Sequence, residues 1–291
     1  MHKINGWINI NKPLNFSSAK TVYHVKKILN LKKVGHAGTL DPLATGVLPI
    51  CINEATKTVS FVMSDEKEYM FEITFGEERD THDAEGEIIN TSNKIPTKEE
   101  ILKSLPQFIG EIEQVPPIYS AIKIKGKRAC DLVRKNQEVK LQARKINIFN
   151  LKFLNFTNKN TARFSVKCGK GTYVRSLARD LSKVLGTYGY ISKLERTRVG
   201  IFNQDNIISL EKLKELDNLD KLKGYLITIG EVLSDMPRID VDSSIADKLR
   251  NGVPCKCKSS NKNIVSIFHN DIVCFAKIED NIMKPIKVFN L

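Results

Sequence analysis

Long apolar runs, tryptophan and acidic residues are all in short supply in this chain of 291 residues. No hydrophobic stretch approaches the roughly 20 residues that a membrane helix needs. The opening M-H-K-I-N-G-W-I-N-I lacks the apolar centre of a secretory signal. A cytoplasmic protein with no membrane partner is expected. Cysteine is too sparse for a stapled scaffold: Cys51, Cys130, Cys168, Cys255, Cys257 and Cys274 are scattered and expected to be reduced thiols. Cys255 and Cys257 form the one close pair. Without a second pair or a histidine cluster they lack zinc-site spacing, so no metal is expected. What remains is an ordinary soluble composition, 41% hydrophobic and 27% charged, with length for one large domain and a small one.

Acids number 33 against 46 Lys and Arg, a net charge of +13, and the excess is local. Tyr119 to Asn150 holds nine bases and two acids, and Arg163 to Arg198 holds nine and two again. Those two blocks account for the whole excess, which suggests a directed polyanion surface with salt-sensitive affinity. A lysine-rich genome would explain many lysines but less easily their clustering. Asp65 to Glu87 runs the other way, with ten acids and two bases, so that face should avoid phosphates except where a carboxylate meets a base edge.

The most informative stretch is V-G-H-A-G-T-L-D-P-L-A-T-G-V-L-P-I, from Val34 to Ile50. Its single carboxylate, Asp41, precedes Pro42, which biases Asp41 toward extended backbone and fixes the next φ. Glycines on both sides permit positive φ and close approach of another backbone or a ligand. Two readings stand equal on spacing alone. Asp41 is either an ordinary cap of the following segment or a functional acid held stiffly in a pocket wall.

The same residues closely resemble the signature of the TruB family of tRNA pseudouridine synthases, in which the Asp of G-x-L-D-P-x-A-x-G is catalytic. The resemblance implies that Asp41 is the nucleophile or base of a uridine isomerisation, without cofactor or metal. Three routes stay open: attack on the base, attack on the sugar, and removal of a ribose proton. Further motifs extend the likeness over nearly the whole chain. I-N-K-P-x-x-x-S-S, from Ile10 to Ser18, resembles the family's first motif and is expected to pack beneath the catalytic loop. Lys67-Glu68-Tyr69 resembles K-x-Y, which assigns Tyr69 to stacking on the target base, although a strand tyrosine is ordinarily core. Gly76 to Gly86 resembles G-x-x-T-D-T-x-D-x-x-G with Arg79 in place of the common Thr, and implies that Asp83 accepts a hydrogen bond from the flipped nucleotide. Gly171-Thr172-Tyr173-Val174-Arg175 resembles the motif whose Arg pairs with the catalytic Asp. An Arg near a helix N-terminus is disfavoured by the dipole and calls for an anionic partner. The salt bridge is expected to keep Asp41 ionised by lowering its pKa. Leu194, in Tyr190 to Gly200, is implied to be the apolar wall, and His36 to contact RNA and organise the loop.

Gln114 to Asn136 resembles the family's RNA-gripping thumb, a segment of about 107–145. There Lys123, Lys125, Lys127 and Arg128 interleave with Tyr119 around Gly126, in a pattern suited to phosphate contact and stacking. Cys130 and Val133 stand where the family has Tyr and Ala. The resemblance implies an α+β fold: a mixed, mostly antiparallel central sheet flanked by helices over 1–233, then a small PUA-like β-barrel over 237–291. It also implies a monomer that acts on uridine 55 in the T-arm of tRNA without a guide RNA. A catalytically silent RNA-binding or RNA-folding protein is the alternative.

Periodicity predicts strands at Gly6–Asn11, Val47–Ile52, Lys67–Phe75, Ile146–Asn155 and Thr161–Cys168. Helices are predicted over 18–31, 54–63, 97–105, 210–219 and 245–252, and another from Gly171 with Val174, Leu177, Ala178 and Leu181 on its apolar face. Residues 90–96 read as a linker.

Overall fold

A computed structural model describes residues 4–124, 126–135, 137–216, 219–258 and 264–291. The strands are β1 (Gly6–Lys12), β2 (Val34–His36), β3 (Ala44–Ile52), β4 (Lys67–Phe75), β5 (Glu77–Arg79), β6 (Ile88–Thr91), β7 (Gly110–Gln114), β8 (Lys123–Ile124), β9 (Lys127–Arg128) and β10 (Arg144–Asn158). There follow β11 (Thr161–Cys168), β12 (Gly189–Val199), β13 (Ile207–Ile208) and β14 (Leu226–Ile227), then β15 (Arg238–Asp240), β16 (Cys255–Lys256), β17 (Ile264–His269), β18 (Asp271–Glu279) and β19 (Ile282–Val288).

Ten strands form one sheet with the order β13-β1-β3-β12-β4-β11-β10-β7, while β14 joins β1 and β2 joins β3. Two pairings, β1 with β13 and β3 with β12, are parallel and the rest are antiparallel, as the expected mixed and mostly antiparallel sheet requires. Alternation sends successive side chains to opposite faces. On β3, Leu48, Ile50 and Ile52 enter one core with the helix Val174–Val184, and Val47 and Cys51 enter another. Trp7 lies in that second core, its indole N–H donating to the Thr58 hydroxyl at 3.0 Å.

The C-terminal sheet runs β15-β17-β18-β19-β16 and curls into a half-barrel around Val265, Ile267, Cys274 and Ala276. It shares the second core with the large unit through Phe61 and Phe275, whose rings lie 4.9 Å apart. Lys57 Nζ donates to the Val288 carbonyl at 2.6 Å, and the Asn290 N–H to Glu54 at 2.8 Å. None of the described helices is long and apolar enough to cross a membrane.

Several elements differ from expectation. The strand predicted from Val47 begins at Ala44, because pairing with β12 recruits Ala44 to Gly46. Residues 54–63 divide into a 3-10 turn, Asn53–Thr58, and a short helix, Val59–Ser64. The expected linker at 90–96 begins inside β6, an exposed strand whose last two residues are 90 and 91 and which pairs with β5. The helix expected to reach Leu219 ends at Glu215, with Leu216 extended; the expectation for residues 217 and 218 lies outside the described residues.

Gly46 has a φ of +95°, and a Cβ there would meet the Arg196 carbonyl at 2.3 Å. Gly46→Ala therefore combines backbone strain with a collision against β12, and is expected to destabilise the fold by about 2–5 kcal/mol. A denaturant midpoint equal to that of the unaltered protein would contradict this.

Candidate active site

Asp41 sits where the peptides on either side of it are tied down. The Ser18 hydroxyl accepts from the Leu40 N–H at 2.8 Å and donates to the Leu40 carbonyl at 3.0 Å. The Pro42 carbonyl accepts from Lys12 Nζ at 3.1 Å and from the Asn15 N–H at 2.9 Å. The Lys12-Pro13 motif thus does lie under the loop, as expected. Burial of the Lys12 ammonium, partly offset by the charge of Asp41, lowers its pKa to about 8.

The Asp41 side chain does not cap the next segment. It reaches across to Arg175, whose Nε lies 2.9 Å from Oδ2 without the alignment of a hydrogen bond. Arg175 follows the first residue of the helix Val174–Val184 and is 6% exposed along its side chain. Its Nη1 lies 3.5 Å from Asp83 Oδ2 and donates to the Thr81 carbonyl at 3.0 Å, while Nη2 donates to the Tyr119 carbonyl at 2.9 Å. One guanidinium thus joins the acid, the 76–86 loop and the base of the predicted thumb, and Asp41 and Asp83 are the anionic partners that its place near the helix start demanded.

Asp41, Leu43, Asp83, Arg175, Ile191 and Leu194 are among the walls of a cleft whose enclosed room is only about 10 Å³. The Asp41 side chain, 37% exposed, lines this opening. The expected lowering of its pKa is not the net result. Burial away from water, the largest influence, raises it above 3.8; Arg175 and Lys12 oppose that rise without cancelling it, and Asp83 adds a like charge to it.

The remaining candidates are distributed around this centre. Leu194 lies on β12 opposite Ala44 and Phe71 and lines the cleft. Tyr69 lies on β4 opposite Arg196, is 9% exposed, and sits beside the cleft rather than in its wall. It is close enough for the charge of Asp41 to add to the upward push that burial gives its pKa. His36 lies on β2, its pKa lowered by burial and then by Arg196, with Nδ1 lacking a partner. Lys123 and Lys127 extend from the β8–β9 hairpin. Lys125 and the side chain of Arg128 lie outside the described residues. No group of three or more His, Cys, Asp or Glu able to hold a metal occurs among the described residues.

Residues 26–174 match the model of the TruB family pseudouridylate synthase N-terminal domain, and residues 175–234 match the tRNA pseudouridylate synthase B C-terminal domain. The chain belongs to the TruB family of pseudouridylate synthases. The two matches meet at the start of the helix Val174–Val184, yet β12 from the second lies inside the sheet built by the first, so that join is no joint in the TruB fold. Among curated TruB relatives, tRNA pseudouridine synthase B of Ehrlichia ruminantium is 48% identical over 98% of this chain and 99% of its own length. The Agrobacterium fabrum protein of the same name is 41% identical over 98% and 95%. A crystal structure of a Cbf5-Nop10-Gar1 complex shares the fold, with a TM-score of 0.76 at 24% identity over 98% of this chain and 85% of that one.

Sequence reasoning missed Arg196, which is buried to 1% exposure. It stands two residues after Leu194 in an alternating strand, so period two places both on one face. It also missed Tyr173, whose backbone N–H donates to Gln114 at 2.8 Å and whose hydroxyl feels the charge of Asp41.

Proposed function

We propose that this chain isomerises uridine to pseudouridine in tRNA, at uridine 55 of the T-arm, as a stand-alone cytoplasmic monomer without guide RNA. The observation that carries the reading is the Asp41–Arg175–Asp83 group at the wall of a cleft beside Tyr69 and Leu194. The target nucleotide leaves its stack, at a cost of a few kcal/mol that contact with aromatic and apolar side chains offsets. Leu194 and the Tyr69 ring bound the base, Asp83 accepts a hydrogen bond from the nucleotide, and Asp41 acts on the base or ribose. The bond from N1 to the ribose breaks, the ring turns, a bond from C5 to the ribose forms, the C5 proton leaves to water, and N1 takes up a proton from water. The sum is an isomerisation that consumes no co-reactant. Each route open to Asp41 requires the unprotonated carboxylate. His36 helps to hold the loop and the RNA.

Residues 1–233 form the catalytic unit, 107–145 its RNA-gripping thumb, and 237–291 a PUA-like RNA-binding unit. Lys123, Lys125, Lys127 and Arg128 meet phosphates. Tritium release from a T-arm transcript carrying 5-tritiated uridine, with purified protein and no added RNA, tests the activity. No release would leave an RNA-binding protein. Affinity for the transcript is expected to fall roughly 10²–10³-fold between about 50 and 200 mM salt, as phosphate contacts release counterions. A salt-independent Kd would rule out the basic surface.

A further inference from the structure

Arg196 is a buried guanidinium for which no carboxylate lies within ion-pair distance among the described residues, so its partners must be neutral. Nε donates to the Val47 carbonyl at 2.7 Å and Nη2 to the Gly38 carbonyl at 3.0 Å. These carbonyls lie on either side of Asp41 in sequence. The guanidinium also lies beside the Tyr69 hydroxyl, and Tyr69 is its cross-strand neighbour on β4.

The glycines of the loop fit around this one residue. A Cβ on Gly38, at φ +96°, would stand 3.3 Å from the Arg196 Nη1, and one on Gly46 would strike the Arg196 carbonyl. The close approach that those glycines permit is therefore taken up by β12 rather than by a ligand. A buried charge held by carbonyls alone is expensive, and a packing role would be filled at less expense by an apolar side chain. The planar fork of arginine instead suits a task that needs several acceptors fixed at once.

We propose that Arg196 is a positioning residue: by holding the Gly38 and Val47 carbonyls while its guanidinium packs beside the Tyr69 hydroxyl, it sets the separation between the Asp41 carboxylate and the Tyr69 ring, between which the extruded uracil must fit. The inference rests on the isomerase reading above and deepens it. Lysine at 196 keeps the charge but has no planar fork to hold both carbonyls while packing beside Tyr69. The loop and the ring can then drift apart, and misplacement on the order of 1 Å lowers rates by about a hundredfold.

Arg196→Lys, Tyr69→Phe and the double variant are compared with the unaltered protein in tritium release from the T-arm transcript, filter binding and thermal melting. Arg196→Lys is expected to lose about tenfold to a hundredfold in kcat while Kd for the transcript stays within about threefold. The double variant should lose little more than Arg196→Lys alone, because both changes cut the same link. An unchanged kcat, a loss confined to Kd, or two losses that multiply would each overturn the proposal. Should Arg196→Lys fail to fold, the near-isosteric Tyr69→Phe decides. Reduced kcat with an unaltered pH profile supports an anchoring hydroxyl, and full kcat or a lost titration limb rejects it. An unaltered protein that binds the transcript without turnover would reject the isomerase reading itself, and this inference with it.

Discussion

Asp41→Asn is expected to reduce pseudouridine formation by at least about 10⁴-fold, since the replaced group is the one that acts on the substrate. The amide has nearly the same shape and keeps the backbone ties at Leu40 and Pro42, which involve no atom of the Asp41 side chain. It cannot attack or take a proton. Affinity for tRNA should change less than about threefold, because the basic segments that meet phosphates are untouched. Single-turnover tritium release and filter binding read the two quantities separately. Retained turnover would remove Asp41 from the chemistry, and lost binding with intact folding would make it a recognition residue.

Arg175→Met is the second large effect, through charge rather than through a lost reactant. It leaves Asp41 and Asp83 facing one another with no guanidinium between them, and the Thr81 and Tyr119 carbonyls without their donor. A loss of about 10²–10³-fold in kcat is expected, the scale for removing one preorganised charged contact. The pH profile carries the sharper test. Burial already holds the Asp41 pKa above 3.8, and Arg175 pulls it down. In the unaltered protein activity therefore falls as pH drops through that raised value, and the acid limb lies above the ordinary carboxylate range. Without the guanidinium the downward pull is gone and the limb moves to higher pH. Arg175→Lys keeps a charge but cannot span two carboxylates and two carbonyls; its limb should shift less while kcat still falls. An acid limb at the same pH in all three proteins would show that Arg175 does not govern the charge on Asp41.

The parts of this architecture with a strong local signal were legible. Alternating apolar residues gave β1, β4 and β11 nearly to the residue, and the helices expected from residues 18 and 97 start where Ser17 and Thr97 cap them, both side chains accepting backbone N–H bonds. The placement of a basic residue near a helix start demanded an anion, and the structure supplies two. The features that escaped depend on distant chain. The β5–β6 hairpin lies in an acid-rich stretch where turn residues dominate, and its exposed Ile88 and Ile89 carry no burial pattern. Arg196 looked like one more base in a basic block, since its carbonyl partners have no signature in the side-chain sequence. The direction of the Asp41 shift was misjudged for the same reason: a partner can be read from a motif, whereas loss of water depends on everything that folds over the group.

The sheet order gives β12 a further significance. It is the one strand bridging β3 and β4, so a chain that ends before Gly189 has β1 with β3 on one side and β4 with β11 on the other, and nothing to join them. During synthesis Asp41 emerges early, yet the wall opposite it arrives some 150 residues afterwards. An unfinished polypeptide therefore offers no half-working pocket in which a transcript could become trapped, and competence comes on abruptly when the last connecting strand slides into place.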